Sequence, residues 1–157
     1  MASVTAKNTE TQNNNMVEAL QKVLASSYVF LLKKQNYHWN VKGPMFYSIH
    51  KLLEEQYTDL FEAIDEIAER ITSLGGYAYG SFADYNEISV IKEEKSIGVP
   101  AEDILKNSVN DESAYVNLLQ EAIEVADDED DNATEDLLIG RLEIHQKNKW
   151  MLESMLG

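Results

Sequence analysis

The chain has 157 residues, which suits one domain that buries about 70% of its unfolded surface in a single core. With 44% hydrophobic and 26% charged residues but only 7 Gly and 2 Pro, it is too poor in turn residues for a many-stranded sandwich, and an all-α class is expected. Cysteine is absent, so disulfides and thiolate sites are excluded and any bound metal must use imidazole, carboxylate, backbone or water ligands. The net charge of −15, from 28 acidic against 13 basic residues, repels nucleic acid and anionic lipid and concentrates cations, although acidity by itself also serves solubility.

Residues 1–15, MASVTAKNTETQNNN, contain no apolar run and are expected to form a disordered tail ahead of a single domain over residues 16–157. No stretch approaches the ~20 apolar residues that span a bilayer, so no membrane association and a cytoplasmic location are expected.

From about Asn15 to Asn40, Val17, Leu20, Leu24, Ser27, Leu31 and Leu32 recur at three- and four-residue steps, the stripe of an amphipathic helix. It ends at Val41-Lys42-Gly43-Pro44, with Pro44 suited to the first position of the next helix. That second helix runs to Leu74 on Leu53, Leu60, Ile64, Ile67 and Ile71, and Gly75-Gly76 suits its C-terminal cap. Periodicity fails between Tyr77 and Pro100, where Ser81 to Ile88 can supply one short helix. A third long helix is expected from Ala101 to Ala126, with Ile104, Val109, Leu118, Leu119, Ala122 and Val125 inward. The run Asp127 to Asp131 breaks it. Asn132-Ala133-Thr134-Glu135 reads as a capping box that starts a fourth, through Leu138, Leu142 and Leu152 to Leu156. Four long helices with a long central crossover match the ferritin-like bundle, with a short helix in the connection between the second and third.

His38 closes the first helix and His50 lies in the first turns of the second, so a tight helical hairpin can bring the two imidazoles together. Asp65 and Glu69 lie four residues apart on one face of the second helix, although paired helical acids are most often solvated surface. Fifteen residues of helix separate His50 from Asp65 by about 22 Å, too far for one ion. If all four serve one site, two chains must build it, and antiparallel pairing of the second helix across a two-fold axis would form it twice per dimer.

The string His38-Trp39-Asn40-Val41-Lys42-Gly43, the second histidine twelve residues on, and Asp65-Glu66-Ile67-Ala68-Glu69-Arg70 ahead of Leu74-Gly75-Gly76 resemble the Dps family (DNA-binding protein from starved cells) of mini-ferritins, from about Val17 to Gly157. The resemblance implies an inter-subunit ferroxidase site of His38 and His50 from one subunit with Asp65 and Glu69 from a neighbour. It implies a hollow dodecamer built from two-fold dimers that oxidises Fe(II), preferentially with hydrogen peroxide, and stores ferric oxyhydroxide, protecting DNA from oxidative damage. Glu54 and Asp59 are accessory acids without an implied ligand role. Trp39 matches a family tryptophan beside the metal, where it intercepts oxidising equivalents, or is a packing aromatic at the helix end. Seven acids lie among residues 127–136, more than a helix dipole needs. The resemblance places this turn at three-fold pores for Fe(II), with Asp127, Asp131 and Asp136 as the expected pore-facing residues.

A ferritin with a di-iron centre inside each bundle would need Glu-x-x-His pairs. Gln35, Tyr47 and Leu142 stand three residues before His38, His50 and His145, so that arrangement is excluded; His145 is expected in a surface or hydrogen-bonded role. The alternative function is a DNA-condensing member with storage secondary. Such members use lysine-rich termini, whereas residues 1–15 hold Lys7 against Glu10 and no basic extension follows the last helix. DNA binding is therefore expected to be weak or absent.

Overall fold

A computed structural model of the chain describes the helical path from Ala2 and the side chains of residues 14–157; Met1 and the side chains of residues 2–13, on which most of the expected N-terminal tail falls, lie outside the described residues. The elements are α1 (Ala2–Asn40), α2 (Phe46–Ser73), α3 (Phe82–Ile88), α4 (Ala101–Asp128) and α5 (Asn132–Leu156). Side-chain pairs fix their directions. His38 meets His50 and Lys34 meets Gln56, so α1 and α2 are antiparallel. Ser27 with Tyr115, Lys34 with Glu112 and Tyr37 with Asn107 make α1 and α4 antiparallel. The turn of residues 129–131 folds α5 straight back along α4, where His145 meets Glu112, so these two are antiparallel as well. The order is therefore up, down, down, up, because the long α2–α4 connection carries the chain back to its starting end. Among the described residues, no helix is long and apolar enough to cross a membrane.

The apolar stripes pack into two clusters. The larger holds Leu20, Leu24, Leu60, Ile67, Tyr115 and Leu138, and the smaller holds Tyr37, Ile49, Leu53, Ile104, Leu105 and Leu152. The inward stripe of α1 departs from its expected form in one respect. Leu32 is 50% exposed, because the helix turns Phe30, Leu31, Lys33 and Lys34 toward its neighbours instead. Val109, Val125 and Leu142 are half-buried, at the margins of their stripes.

Local chemistry explains the ends. Gly75 closes α2 at φ +90°, a left-handed position that glycine adopts without a Cβ clash, while Gly75 N–H bonds Thr72 O and Gly76 N–H bonds Ile71 O, the paired bonds of a Schellman cap. A Cβ on Gly76 would lie 2.8 Å from Val17, so close packing of the connection on α1 requires the second glycine too. Ser81 caps α3 by accepting from Asp84 N–H. Pro44 stands two residues ahead of α2, in the turn and not in its first position.

The acidic turn replaces the expected capping box. Asp130 takes a left-handed φ of +56°, with Asp130 N–H on Asp127 O and Asp131 N–H on Ala126 O, so α4 ends in a second Schellman cap without glycine. Asp131, one residue ahead of the expected Asn132, then caps α5 by accepting from Thr134 N–H. Glu135 therefore falls one position too far along the helix to complete a box.

Candidate metal site

His38 and His50 face each other across the α1–α2 turn. Their rings are stacked, with centroids 3.7 Å apart and planes 12° from parallel. His38 Nδ1 lies 2.7 Å from His50 O, and His50 Nδ1 lies 2.8 Å from His38 O. A carbonyl oxygen can only accept, so both Nδ1 atoms carry the proton, and in the neutral rings both Nε2 atoms keep their lone pairs. This is the orientation in which a backbone carbonyl fixes a metal-ligating imidazole. Phe46 stacks on the other face of His50 at 4.8 Å, and Tyr57 meets His38 edge-on at 5.1 Å. The aromatic walls leave the ring edges as the available surface.

Asp65 and Glu69 are exposed on α2, which runs unbroken from His50 past both. The rise of ~1.5 Å per residue therefore holds, and the structure does not bring the two acids to the histidines within one chain. Consistently, no three His, Asp or Glu side chains converge on one point among the described residues. Glu54 lies one turn from His50 and is bonded to Lys51 at 2.7 Å. That hydrogen bond and the Lys51 charge hold its carboxyl below the ordinary range, and His38 and His50 add to the effect. Asp59 is instead drawn to Arg141, at 2.7 Å.

Trp39 is 60% exposed and, with Tyr28, Leu32, Phe82 and Tyr85, lines an apolar groove between α1 and α3.

In the acidic turn, Asp127 and Asp136 are exposed. Asp131 has both carboxylate oxygens committed: Oδ1 accepts from Arg70 Nη2 at 2.9 Å and from Thr134 N–H, and Oδ2 accepts from the Thr134 hydroxyl. Arg70 Nε also donates to Thr134 Oγ1 at 2.8 Å. The end of α2 that carries Glu69 is thereby clamped to the start of α5. Thr134 and Arg70 bonding holds the Asp131 carboxyl below its ordinary range against partial burial, which pushes it up.

One polar group was not legible as such. His145 is not on the surface but buried at the bundle centre, 4.3 Å from the Tyr115 ring. Arg141 donates to His145 Nε2 at 3.1 Å, so Nδ1 carries the proton and donates to Glu112 Oε2 at 2.7 Å. Lys34 Nζ reaches the other Glu112 oxygen at 2.8 Å and Gln56 Oε1 at 2.7 Å. Burial pushes the His145 pKa down despite the neighbouring carboxylate. Burial also pushes the Glu112 carboxyl up, but Lys34 and His145 outweigh it and hold Glu112 below the usual carboxylate range. The available signal was spacing: Ser108, Glu112, Tyr115, Leu119 and Ala122 share the inward stripe of α4, which puts an acid in the core.

An up-down-down-up bundle with a long crossover is the ferritin-like arrangement of four helices. The ferritin-like domain family matches residues 17–157. The chain is 38% identical over 145 residues to DNA protection during starvation protein 2 of Bacillus anthracis, covering 92% of this chain and 99% of that one. The crystal structure of a Dps protein from Bacillus brevis superimposes with a TM-score of 0.90 at 36% identity, covering 94% of this chain and 98% of that one. The Dps protein of Vibrio cholerae O1, described as a member of a broad superfamily of ferritin-like diiron-carboxylate proteins, does so with a TM-score of 0.88 at 33% identity, over 94% and 92%. The chain belongs to the ferritin-like family and, within it, to the Dps mini-ferritins.

Proposed function

We propose that this protein is an iron-storage and detoxification ferroxidase. It binds Fe(II) between subunits, with His38 and His50 of one chain and Asp65 and Glu69 of a neighbour as ligands, oxidises it preferentially with hydrogen peroxide, and stores ferric oxyhydroxide inside a dodecameric shell. The observation that carries this reading is the reciprocal Nδ1–H bonding of the two histidines, which presents two oriented Nε2 lone pairs beside a single acid of the same chain, Glu54, itself paired with Lys51. A half-site of that kind is complete only when a second chain brings acids to it. His50, Glu54, Phe61, Asp65 and Glu69 follow one another along one side of α2, and Phe61 between the half-sites is 63% exposed. Antiparallel pairing of α2 with its symmetry mate would bury that ring and join each histidine pair to the other chain's acids.

Imidazole with hard carboxylate oxygen suits iron in both oxidation states. Two Fe(II) ions give one electron each to hydrogen peroxide, its O–O bond breaks, and with two protons two waters form, so no hydroxyl radical is released. DNA is protected by this chemistry and not by contact. The exposed acids Asp127 and Asp136 draw Fe(II) toward a three-fold pore, while Asp131 holds the turn that presents them. Trp39, exposed next to His38, is the residue placed to intercept stray oxidising equivalents.

Replacing His38 and His50 together with Ala should abolish rapid Fe(II) oxidation followed by stopped-flow absorbance with peroxide and, separately, with oxygen. Unchanged kinetics would sink the assignment. A gel shift at low salt without added metal should show little retardation of DNA, and strong retardation would favour the DNA-condensing alternative.

A further inference from the structure

The bundle centre carries a polar layer between the two apolar clusters, and its middle is a lysine ammonium. Lys34 is 1% exposed. Its Nζ is 2.7 Å from Gln56 Oε1, 2.8 Å from Glu112 Oε1 and 4.0 Å above the centre of the Phe30 ring. A carboxylate, an amide oxygen and an aromatic face are cation-binding groups, and they converge here from three helices. The layer is charge-balanced: Lys34 and Arg141 face Glu112 and Asp59, with His145 neutral. An anion would upset that balance, and so would a second cation.

We propose that this layer is a cation site whose resident ion is the Lys34 ammonium. By filling it, Lys34 keeps divalent metal out of the subunit interior. Without Lys34, the buried Glu112 carboxylate would be left uncompensated, and a buried charge of that kind takes a counter-ion or a proton. Glu112 Oε1 and Gln56 Oε1 would then hold a first-row divalent ion, while His145 stays bonded to the second Glu112 oxygen and orients it. The space of the lost side chain would admit the ion's waters. Ser108 Oγ, a buried polar atom without a partner, can accept a hydrogen bond from those waters. The antiparallel register that pairs Glu112 with His145 sets Ser108 across from Asn148, one turn away. The site itself stands apart from the inter-subunit reading; only its consequence, that Fe(II) chemistry is confined to subunit boundaries, rests on it.

The test uses the His38→Ala/His50→Ala protein as parent, so that ions at the subunit boundary do not confuse the count. Lys34→Ala in this parent should bind about one more Co(II) per chain, with cobalt d–d absorption and a Tm that rises on adding Co(II). Adding Glu112→Gln should remove the extra ion. A folded Lys34→Ala protein that binds no more Co(II) than its parent overturns the proposal, as does an extra ion that survives Glu112→Gln. Should Lys34→Ala fail to fold in metal-free buffer, refolding in Co(II) that restores it supports the site, and failure there as well counts against it.

Discussion

His38 and His50 each donate the Nδ1 proton to the other's backbone carbonyl, across the turn that joins α1 to α2. The arrangement ties ring orientation to the geometry of the hairpin, so the side chains are set by the fold before any ligand arrives. Replacing either histidine alone removes one lone pair and also frees the carbonyl that its ring engaged. Each single His→Gln variant should therefore lose Fe(II) affinity by tenfold or more, on the order of 1.4 kcal/mol or above, while its helix content by circular dichroism stays unchanged. Isothermal titration with Fe(II) under anaerobic conditions measures this, and parent-like affinity in both variants would speak against a ligand role.

The buried polar layer makes stability acid-sensitive. His145 is held neutral in the folded chain, its pKa pushed down by burial. On acidification through pH ~6.5 the unfolded chain takes up a proton that the folded one resists, so stability falls as pH falls. Glu112, also held low when folded, adds a further loss as pH drops through the ordinary carboxylate range near ~4.3. Urea unfolding should give a free energy that declines steadily from pH 7 to pH 4. Glu112→Ala should cost about 3–5 kcal/mol at pH 7, because it leaves Lys34 buried without its partner, and its pH profile should be flatter. An equally steep profile in the variant would show that other groups carry the effect.

Asp130 ends α4 in a left-handed conformation that a glycine adopts without strain. Asp130→Gly should raise stability, seen as a higher Tm, by no more than the roughly 1–2 kcal/mol that a left-handed position costs an L-residue, since Asp already tolerates it in part. Asp131→Ala should do the opposite by roughly 1–2 kcal/mol, since it removes both the α5 cap and the Arg70 ion pair. Equal effects of the two substitutions would mean that charge repulsion in the turn, and not backbone geometry, decides.

The helices were legible because long amphipathic stripes bounded by Gly75-Gly76, Pro100 and the acidic run carry strong periodic signals. The boundary of α5 was missed by one residue because Asp131 and Asn132 are equally good capping residues, and only the backbone of the α4 cap decides between them. Leu32 was misplaced because three- and four-residue steps from Ser27 and its neighbours admit both Leu31 and Leu32, and packing took only Leu31 inward. The histidine pair was legible as a pair, but not its carbonyl bonding, which depends on the depth at which the two helices cross. The Lys34–Glu112–His145 layer escaped because charged residues in a sequence read as surface, and only their mutual satisfaction across helices allows them inside.

The central claim is that each site takes its histidines from one chain and its acids from another, and subunit mixing tests it most directly. Shells of His38→Ala/His50→Ala alone and of Asp65→Ala/Glu69→Ala alone should both lack rapid Fe(II) oxidation. Unfolded together in equal amounts and reassembled, the two variants should recover about a quarter of the parent rate, because a quarter of randomly formed sites draw intact histidines from one chain and intact acids from the other. Mixed shells as inactive as their components would contradict the inter-subunit site.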